Sequence, residues 1–231
     1  MLSRQSLPIF SLVIPSTKQK VSYRPFTVRE EKILAQAQQS DDLDVIGNAI
    51  KEVIKLCITD IKNVDELALF DVEYIMTKIR SKSVGEYIDL NMSCDKVPSH
   101  NKTPVRVNLE TIEVTVPEGH EKKIALYDDV GVVMKYPTIK DLQAFEEMDG
   151  LEATIACLDY IYTSEEVYYA KEQTKEELKE FFNNLTEKQI LKIEENFFKK
   201  MPYLEYTIKY DCIECGHHHE KTIKGLSNFF V

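Results

Sequence analysis

Two cysteines near the C-terminal end of the chain have the spacing of a metal-binding knuckle. Cys212 and Cys215 form a C-x-x-C motif, Gly216 follows at once, and residues 217–219 are three consecutive histidines. A tight turn at this spacing points two thiolates at one metal ion, and a glycine relieves crowding behind the second cysteine. Because strand-like segments lie on both sides, the motif favours half of a zinc ribbon over a thioredoxin-type redox pair, whose C-x-x-C opens a helix.

Cys94 is the candidate for the other half of the ribbon, although its motif is incomplete. The position three residues after Cys94 is Val97, so this segment offers one thiolate where an intact knuckle would offer two. The fourth ligand must then be a histidine, either His100 or one of residues 217–219. The alternative is a decayed ribbon that binds no metal and is held by ordinary packing. Our prediction for the site is one structural zinc ion with the ligands Cys94, His100, Cys212 and Cys215.

Strand-like segments must position these cysteines. Residues 203–212, YLEYTIKYDC, alternate in the manner of a strand, and residues 219–225, HEKTIKG, can pair with them. We therefore predict a C-terminal β-hairpin whose tip carries the knuckle. Residues 86–94, EYIDLNMSC, predict a strand that ends at Cys94.

The remaining periodicity predicts an α+β fold, in the order helices, sheet, helices and two strands. Thr27 and Glu30 fit a capping box that starts the first helix, and residues 43–57 repeat apolar positions at helical spacing. Residues 86–136 predict a central antiparallel sheet. Residues 151–163, LEATIACLDYIYT, carry apolar side chains at the spacing of a helix face and so predict a further helix.

These elements predict a division of the chain into four parts. They are an N-terminal extended arm or hairpin (1–26), a helical module (27–84), a β region resembling a zinc ribbon (85–137 with 202–231) and a second helical segment (138–201). All predicted metal ligands fall in the β region. A metal ion would therefore close a long loop and fix the C-terminal hairpin to the central sheet.

The composition excludes several classes of protein. The chain has 231 residues, a formal net charge of −10 and 7 glycines, and it contains neither a Rossmann fingerprint nor a phosphate-binding P-loop. No stretch approaches the roughly 18 apolar residues that a membrane-spanning helix needs, so no membrane partner is predicted. The 5 cysteines and the lack of a secretory signal predict reduced thiols inside a cell.

Catalysis has little support in the sequence. Cys57 and Cys157 fall on or beside apolar helix faces, so both are predicted to be buried thiols. Acidic pairs such as residues 165–166 are typical of a solvated face, and no nucleophile elbow or H-E-x-x-H motif occurs. We predict no catalytic residues and no small-molecule substrate. A metal-dependent hydrolase that uses Glu214 as its general base is the weakest alternative.

A nucleic-acid-binding regulator of the zinc-ribbon class is the main alternative function. It would need a basic face near the knuckle, because a strongly acidic chain repels a polyanion. The basic residues that cluster in sequence around the two cysteine segments are Lys96, Lys102, Arg106, Lys209, Lys221 and Lys224. No dense Lys/Arg stripe accompanies them, so the sequence argues against this partner.

Five segments follow one another from about Arg24 to Phe230: YRPFTVREEKILAQA, FDVEYIMTKIRSKSVGE, a strand ending in Cys94, GVVMKYPT and DCIECGHHHEKTIKGLSNFF. Taken in this order, they resemble the baseplate hub assembly proteins of T4-like contractile-tailed phages. In that family a Pro-Phe-x-x-x-Glu-Glu-Lys segment opens a helical module, an Arg-x-x-Ser-x-Gly-Glu segment leads into the sheet, and a cysteine knuckle precedes a Leu-x-x-Phe-Phe tail. The family's middle segment also carries a cysteine pair, from which Val97 departs.

This resemblance implies a structural or assembly-assisting protein that performs no reaction. Its partners would be proteins of the baseplate hub. It would act in the host bacterial cytoplasm during assembly, and the resemblance leaves open whether it stays in the virion tail baseplate afterwards. An apolar C-terminal end is expected to dock on its own core or on a hub protein. The side chains expected to bind a partner there are Leu226, Phe229 and Phe230.

Overall fold

The computed structural model describes residues 6–40, 42–141 and 150–224. These residues form two compact units. Unit 1 comprises residues 6–115 and 203–224, and unit 2 comprises residues 116–202. Unit 1 is therefore built from two stretches of chain, and unit 2 is inserted between them. The helices and antiparallel sheets of the described residues confirm the α+β class.

The elements are numbered here in chain order. The helices are α1 (Val28–Ala37), α2 (Leu43–Cys57), α3 (Leu69–Ser83), α4 (Gly150–Ala156), α5 (Lys175–Asn183) and α6 (Glu187–Asn196). The strands are β1 (Phe10–Val13), β2 (Lys20–Tyr23), β3 (Tyr87–Met92), β4 (Thr103–Asn108), β5 (Glu113–Thr115), β6 (Lys123–Tyr127), β7 (Val130–Met134), β8 (Leu158–Tyr162), β9 (Val167–Tyr169), β10 (Tyr203–Asp211) and β11 (His218–Lys224). Short 3-10 turns lie at Val64–Glu66, Leu109–Thr111, Ile139–Asp141, Ala170–Glu172 and Phe198–Lys200.

The helices of unit 1 begin where the side-chain chemistry predicts. Thr27 and Glu30 form the expected capping box at α1, and Asp42 accepts hydrogen bonds from the first turn of α2. The buried Glu30 carboxylate also pairs with Arg24 at 3.1 Å. Burial opposes its ionisation, but hydrogen bonds from Arg24 and Thr27 outweigh burial and lower the pKa of Glu30 to about 2.

Helix α3 is buried along most of its length. The carboxylate of Asp71 is fully buried and accepts hydrogen bonds from the Ser16 N–H, at 2.9 Å, and from the Ser16 hydroxyl. Ser16 lies in the turn of the antiparallel β1–β2 hairpin, so this contact ties the predicted N-terminal hairpin to α3. Farther along α3, Lys78 donates to the Glu110 carbonyl at 2.7 Å and pairs with Glu113.

The predicted single central sheet is wrong, since its strands divide among separate sheets. Strands β3 and β4 form a two-stranded antiparallel pair. Strand β5 pairs instead with β10, whose other edge pairs with β11 along its length. The order of this three-stranded sheet is β11-β10-β5, and the predicted C-terminal hairpin is its larger part. Strands β6 and β7 belong to the sheet of unit 2.

Unit 2 is a four-stranded antiparallel sheet packed with helices, in the order β6-β7-β8-β9. Its core joins side chains of β6, β7 and β8 to buried residues of α5 and α6, including Leu178, Phe182 and Ile193. The prediction of a helix over residues 151–163 is wrong in its second half. Helix α4 ends at Ala156, and residues 158–162 form β8, so the segment 138–201 is not wholly helical.

Candidate metal centre

Four side chains of unit 1 converge at the tip of the C-terminal hairpin. They are the predicted ligands Cys94, His100, Cys212 and Cys215, whose ligand atoms all lie within 4.8 Å of one another. Cys94 and Cys212 are each 2% exposed, His100 is half-buried and Cys215 is exposed. This cluster could hold a metal ion.

Two distances within the cluster are close to those of a tetrahedral zinc site. The Sγ atoms of Cys94 and Cys215 are 3.9 Å apart, and the Sγ of Cys212 is 3.4 Å from the Nδ1 of His100. Zn–S bonds of about 2.3 Å and Zn–N bonds of about 2.0 Å at tetrahedral angles would place two sulfurs ~3.8 Å apart and a sulfur and a nitrogen ~3.5 Å apart. Three thiolates and one imidazole are also a standard donor set for structural zinc.

The knuckle is formed by a tight turn between β10 and β11. The Gly216 N–H donates to the Cys212 carbonyl at 2.8 Å, and the Cys212 N–H donates to the His217 carbonyl at 2.9 Å. Gly216 has a φ of +66°, which explains the glycine, because a side chain there would be strained. The expected crowding is not the reason, since a Cβ at this position would meet no atom within 4 Å.

The turn stabilises a thiolate at Cys212. Hydrogen bonds from the N–H groups of Cys215 and Glu214, together with the nearby His100 ring, outweigh desolvation and lower the pKa of Cys212 to about 6. A hydrogen bond from the His217 N–H favours the thiolate of Cys215, but desolvation and the neighbouring sulfurs of Cys212 and Cys94 outweigh it and raise the pKa of Cys215. Without a cation, a thiolate at Cys212 thus opposes ionisation of Cys215. A divalent cation would remove that conflict.

Side chains of β10 and β11 hold the segment around Cys94 in place, although they are not among the four predicted metal ligands. The Tyr210 hydroxyl donates to the Ser93 carbonyl at 2.7 Å, and Lys221 pairs with Asp95 at 2.7 Å. Both neighbours of Cys94 in the chain are therefore attached to the hairpin. The sequence analysis did not identify these contacts, since they join residues more than a hundred positions apart.

The His100 segment is attached to the knuckle itself. The Ile213 N–H donates to the hydroxyl of Thr103 at 3.1 Å, and the Asn101 N–H donates to the Glu214 carboxylate at 2.7 Å. Thr103 is buried and begins β4, so the sheet fixes one end of the segment that carries His100. Sequence reasoning missed Thr103, and it considered Glu214 only as a general base.

The three consecutive histidines have other contacts. His218 lies 2.8 Å from Asp211 through its Nδ1. His219 is buried, stacks on Tyr210 with ring centroids 5.0 Å apart, and faces Asp95 at 3.6 Å. Because the structure groups His100 and not residues 217–219 with the three cysteines, it favours His100 among the histidines left open by the sequence.

Cys57 and Cys157 are not members of this cluster. Both Cys57 and Cys157 are buried thiols, as expected, and burial raises the pKa of Cys57 to about 11 and that of Cys157 to about 12.

The proposed partner-binding side chains Leu226, Phe229 and Phe230 lie outside the described residues. In the described part of the chain, no helix combines the length and the apolar character required to cross a membrane.

Several of the basic side chains that the alternative nucleic-acid-binding function would need are paired with carboxylates. Lys221 pairs with Asp95, as described above, and Lys209 pairs with Glu220 at 3.3 Å. Arg106 pairs with Asp89 at 2.8 Å on the β3–β4 pair. These ion pairs offset positive charge on the surface around the knuckle, where a polyanion would need it.

Comparison with known proteins confirms the family resemblance seen in the sequence. Residues 7–231 match the family described as T4 bacteriophage base plate protein. The baseplate hub assembly protein gp26 of Enterobacteria phage T4 is 26% identical over 210 residues, which cover 91% of this chain and 92% of that protein. No solved structure matches. The chain belongs to the T4 bacteriophage base plate protein family.

Proposed function

We propose that this protein assists assembly of the hub of a phage tail baseplate by protein–protein contacts and without catalysing a reaction. The observation that carries this proposal is the match to a baseplate hub assembly protein over nearly the whole of both chains. Such end-to-end similarity includes both units rather than one shared module. We place its action in the host bacterial cytoplasm during assembly, and afterwards in the tail baseplate.

We further propose that the cluster of Cys94, His100, Cys212 and Cys215 binds one structural zinc ion. The donor set and the two measured separations support this assignment. The ion would join the β3–β4 connection to the C-terminal hairpin. Its contribution would be to folding, because a metal bound only by the folded chain stabilises that state.

A catalytic role for this metal has no support in the geometry. Four protein ligands would complete a tetrahedral zinc ion and leave no open position for water or substrate. A cavity of about 370 Å³ in unit 2 is lined mainly by apolar groups, and Glu187 is the ionisable residue among its described lining side chains.

The apolar residues at the end of the chain are the proposed contact with hub proteins. Leu226, Phe229 and Phe230 follow the last described residue, Lys224, closely in the sequence. Large apolar side chains close together form the buried centre of many protein interfaces. We propose that they bind a hub protein.

Reconstitution tests the proposed function. The chain is co-expressed with the hub proteins of the same phage, and complexes are separated by size-exclusion chromatography and quantified. We expect a stoichiometric complex that a Phe229→Ser/Phe230→Ser variant weakens and a Ser227→Ala control preserves. Failure of the wild-type chain to bind any hub protein would contradict the proposal.

A gel shift at low salt tests the alternative function. It is expected to show no nucleic-acid binding, and a salt-dependent shift would favour the nucleic-acid-binding regulator instead.

A further inference from the structure

His100 lies between a cysteine of the knuckle and an acidic side chain of the same knuckle. Its Nδ1 is 3.4 Å from the Sγ of Cys212, which is one of the three clustered cysteines. Its Nε2 lies 3.8 Å from the Oε2 of Glu214. One ring nitrogen is therefore near a thiol, and the other is near a carboxylate.

This arrangement bears on which ring nitrogen can bind a metal. A neutral imidazole carries one proton, and the nitrogen without it is the ligand. A carboxylate beside Nε2 favours the proton there, which leaves the Nδ1 lone pair free on the side of the Cys212 thiol. Histidine ligands in metalloproteins commonly donate their other N–H to a carboxylate, which fixes the tautomer and the ring orientation.

The backbone holds Glu214 in position to do this. Its second carboxylate oxygen, Oε1, accepts a hydrogen bond of 2.7 Å from the Asn101 N–H, next to His100 in the chain. Glu214 is also one of the two residues between the knuckle cysteines, and its own N–H points at the Cys212 sulfur. The carboxylate is therefore attached both to the knuckle and to the segment that carries the imidazole.

We propose that Glu214 is a positioning residue that presents Nδ1 of His100 to the metal ion. This inference rests on the proposed zinc site. It assigns Glu214 neither a bond to the metal nor a proton-transfer role, in contrast to the general base considered from the sequence. Its effect on metal binding must then pass through His100.

Cobalt(II) is the probe, because its visible absorption spectrum depends on the ligands that bind it, whereas zinc(II) in the same site has no visible absorption. Affinity is measured by competition with a chromophoric chelator for the wild type, Glu214→Ala and Glu214→Gln. We expect Glu214→Ala to weaken binding roughly 10- to 100-fold, the usual cost of losing such an outer partner. Glu214→Gln should lose less, since its single amide oxygen can still accept from either the Asn101 N–H or the Nε2–H, whereas alanine can accept from neither. Glu220→Gln, on the same hairpin, is the matched control and should change nothing.

Two further measurements separate positioning from a general effect on the loop. In a His100→Ala background, Glu214→Ala should cause no additional loss of affinity. An equal loss in both backgrounds would overturn the proposal, as would unchanged affinity in the single variant. Long-range ¹H–¹⁵N spectra of the zinc-loaded wild type should show Nδ1 of His100 as the metal-bound nitrogen, and binding through Nε2 would overturn it. If the wild type binds no cobalt, the zinc site itself fails together with this inference.

Discussion

The sulfur atoms of Cys94 and Cys215 lie 3.9 Å apart although 121 positions separate them in the chain. The cysteines belong to the two separate stretches that make up unit 1. A metal ion shared by them would cross-link these stretches at one point. Because the ion would be bound only by the folded chain, it would contribute to stability as well as to local geometry.

Replacing Cys94 should remove the metal. We expect about one zinc ion per chain in the purified, untagged wild type and almost none in Cys94→Ser, because a neutral hydroxyl is a poor substitute for a thiolate ligand. Elemental mass spectrometry gives the stoichiometry. Cys157→Ala, which alters a buried thiol of unit 2, is the control and should retain zinc. Absence of zinc from the wild type would mean that the knuckle is a relic.

Chelation should loosen the C-terminal hairpin and leave the sheet of unit 2 unchanged. If free zinc normally exceeds its dissociation constant 100-fold, removing it costs unit 1 about 2.7 kcal/mol of stability. Hydrogen exchange with and without EDTA measures the effect locally. Amides of β10 and β11 should lose protection, while those of β7 should not. Equal loss in both regions would argue against a local metal site.

Glu30 should stabilise the protein at neutral pH and lose this effect in acid. Its pKa falls from about 4.5 to about 2 on folding, so the folded state favours the carboxylate. The contribution is therefore complete above pH 4.5 and is lost as the pH falls through 2. Glu30→Gln should cost about 1–3 kcal/mol at pH 7, by loss of charged hydrogen bonds to Arg24 and Thr27. Urea unfolding at several pH values measures the difference.

The neighbouring Glu31 provides the matched control for that series. It lies in the same first turn of α1 but is exposed. Glu31→Gln should change the free energy of unfolding by less than about 0.5 kcal/mol. A penalty for Glu30→Gln that stays constant down to pH 2 would show that packing, rather than ionisation, explains the loss.

Gly131 should not tolerate even one added methyl group. A Cβ there would overlap the Tyr162 ring and lie 2.5 Å from the carbonyl oxygen of Ile124. We expect Gly131→Ala to destabilise unit 2 by about 1–3 kcal/mol through overpacking. In Gly150→Ala, the control, the new Cβ meets no atom within 4 Å, so stability should stay the same or rise. Thermal unfolding distinguishes the two, and equal stability would contradict the expected clash.

Part of the ligand cluster could be predicted from the sequence. Cysteine spacing alone indicated the knuckle, and chain order supplied Cys94 as its partner. Four histidines were candidates for the remaining ligand, and local sequence could not separate them. The choice depends on tertiary contacts, such as the stacking of His219 on Tyr210 and the pairing of His218 with Asp211.

The β8 strand shows why part of the fold could not be predicted. The register between β7 and β8 shifts at Asp159, where Met134 pairs with Leu158 but Val133 pairs with Tyr160. This bulge interrupts the alternation, and the buried residues Leu158 and Ile161 become three positions apart. Three-residue spacing is the signal of a helix. The pairing of β5 with β10 could not be predicted for a different reason. The residues of β5 do not indicate which distant strand they pair with.

The insertion of unit 2 between the two stretches of unit 1 has a consequence for synthesis. A ribosome makes the chain from its N-terminus, so residues 116–202 emerge before β10, β11, Cys212 and Cys215 do. Unit 2 can therefore fold while unit 1 still lacks two of its sheet strands and two of its three clustered thiols. During that interval Cys94 is an unpaired thiol, and the edge of β5 that later joins β10 has no partner. Unit 1 becomes complete only after β11 has emerged.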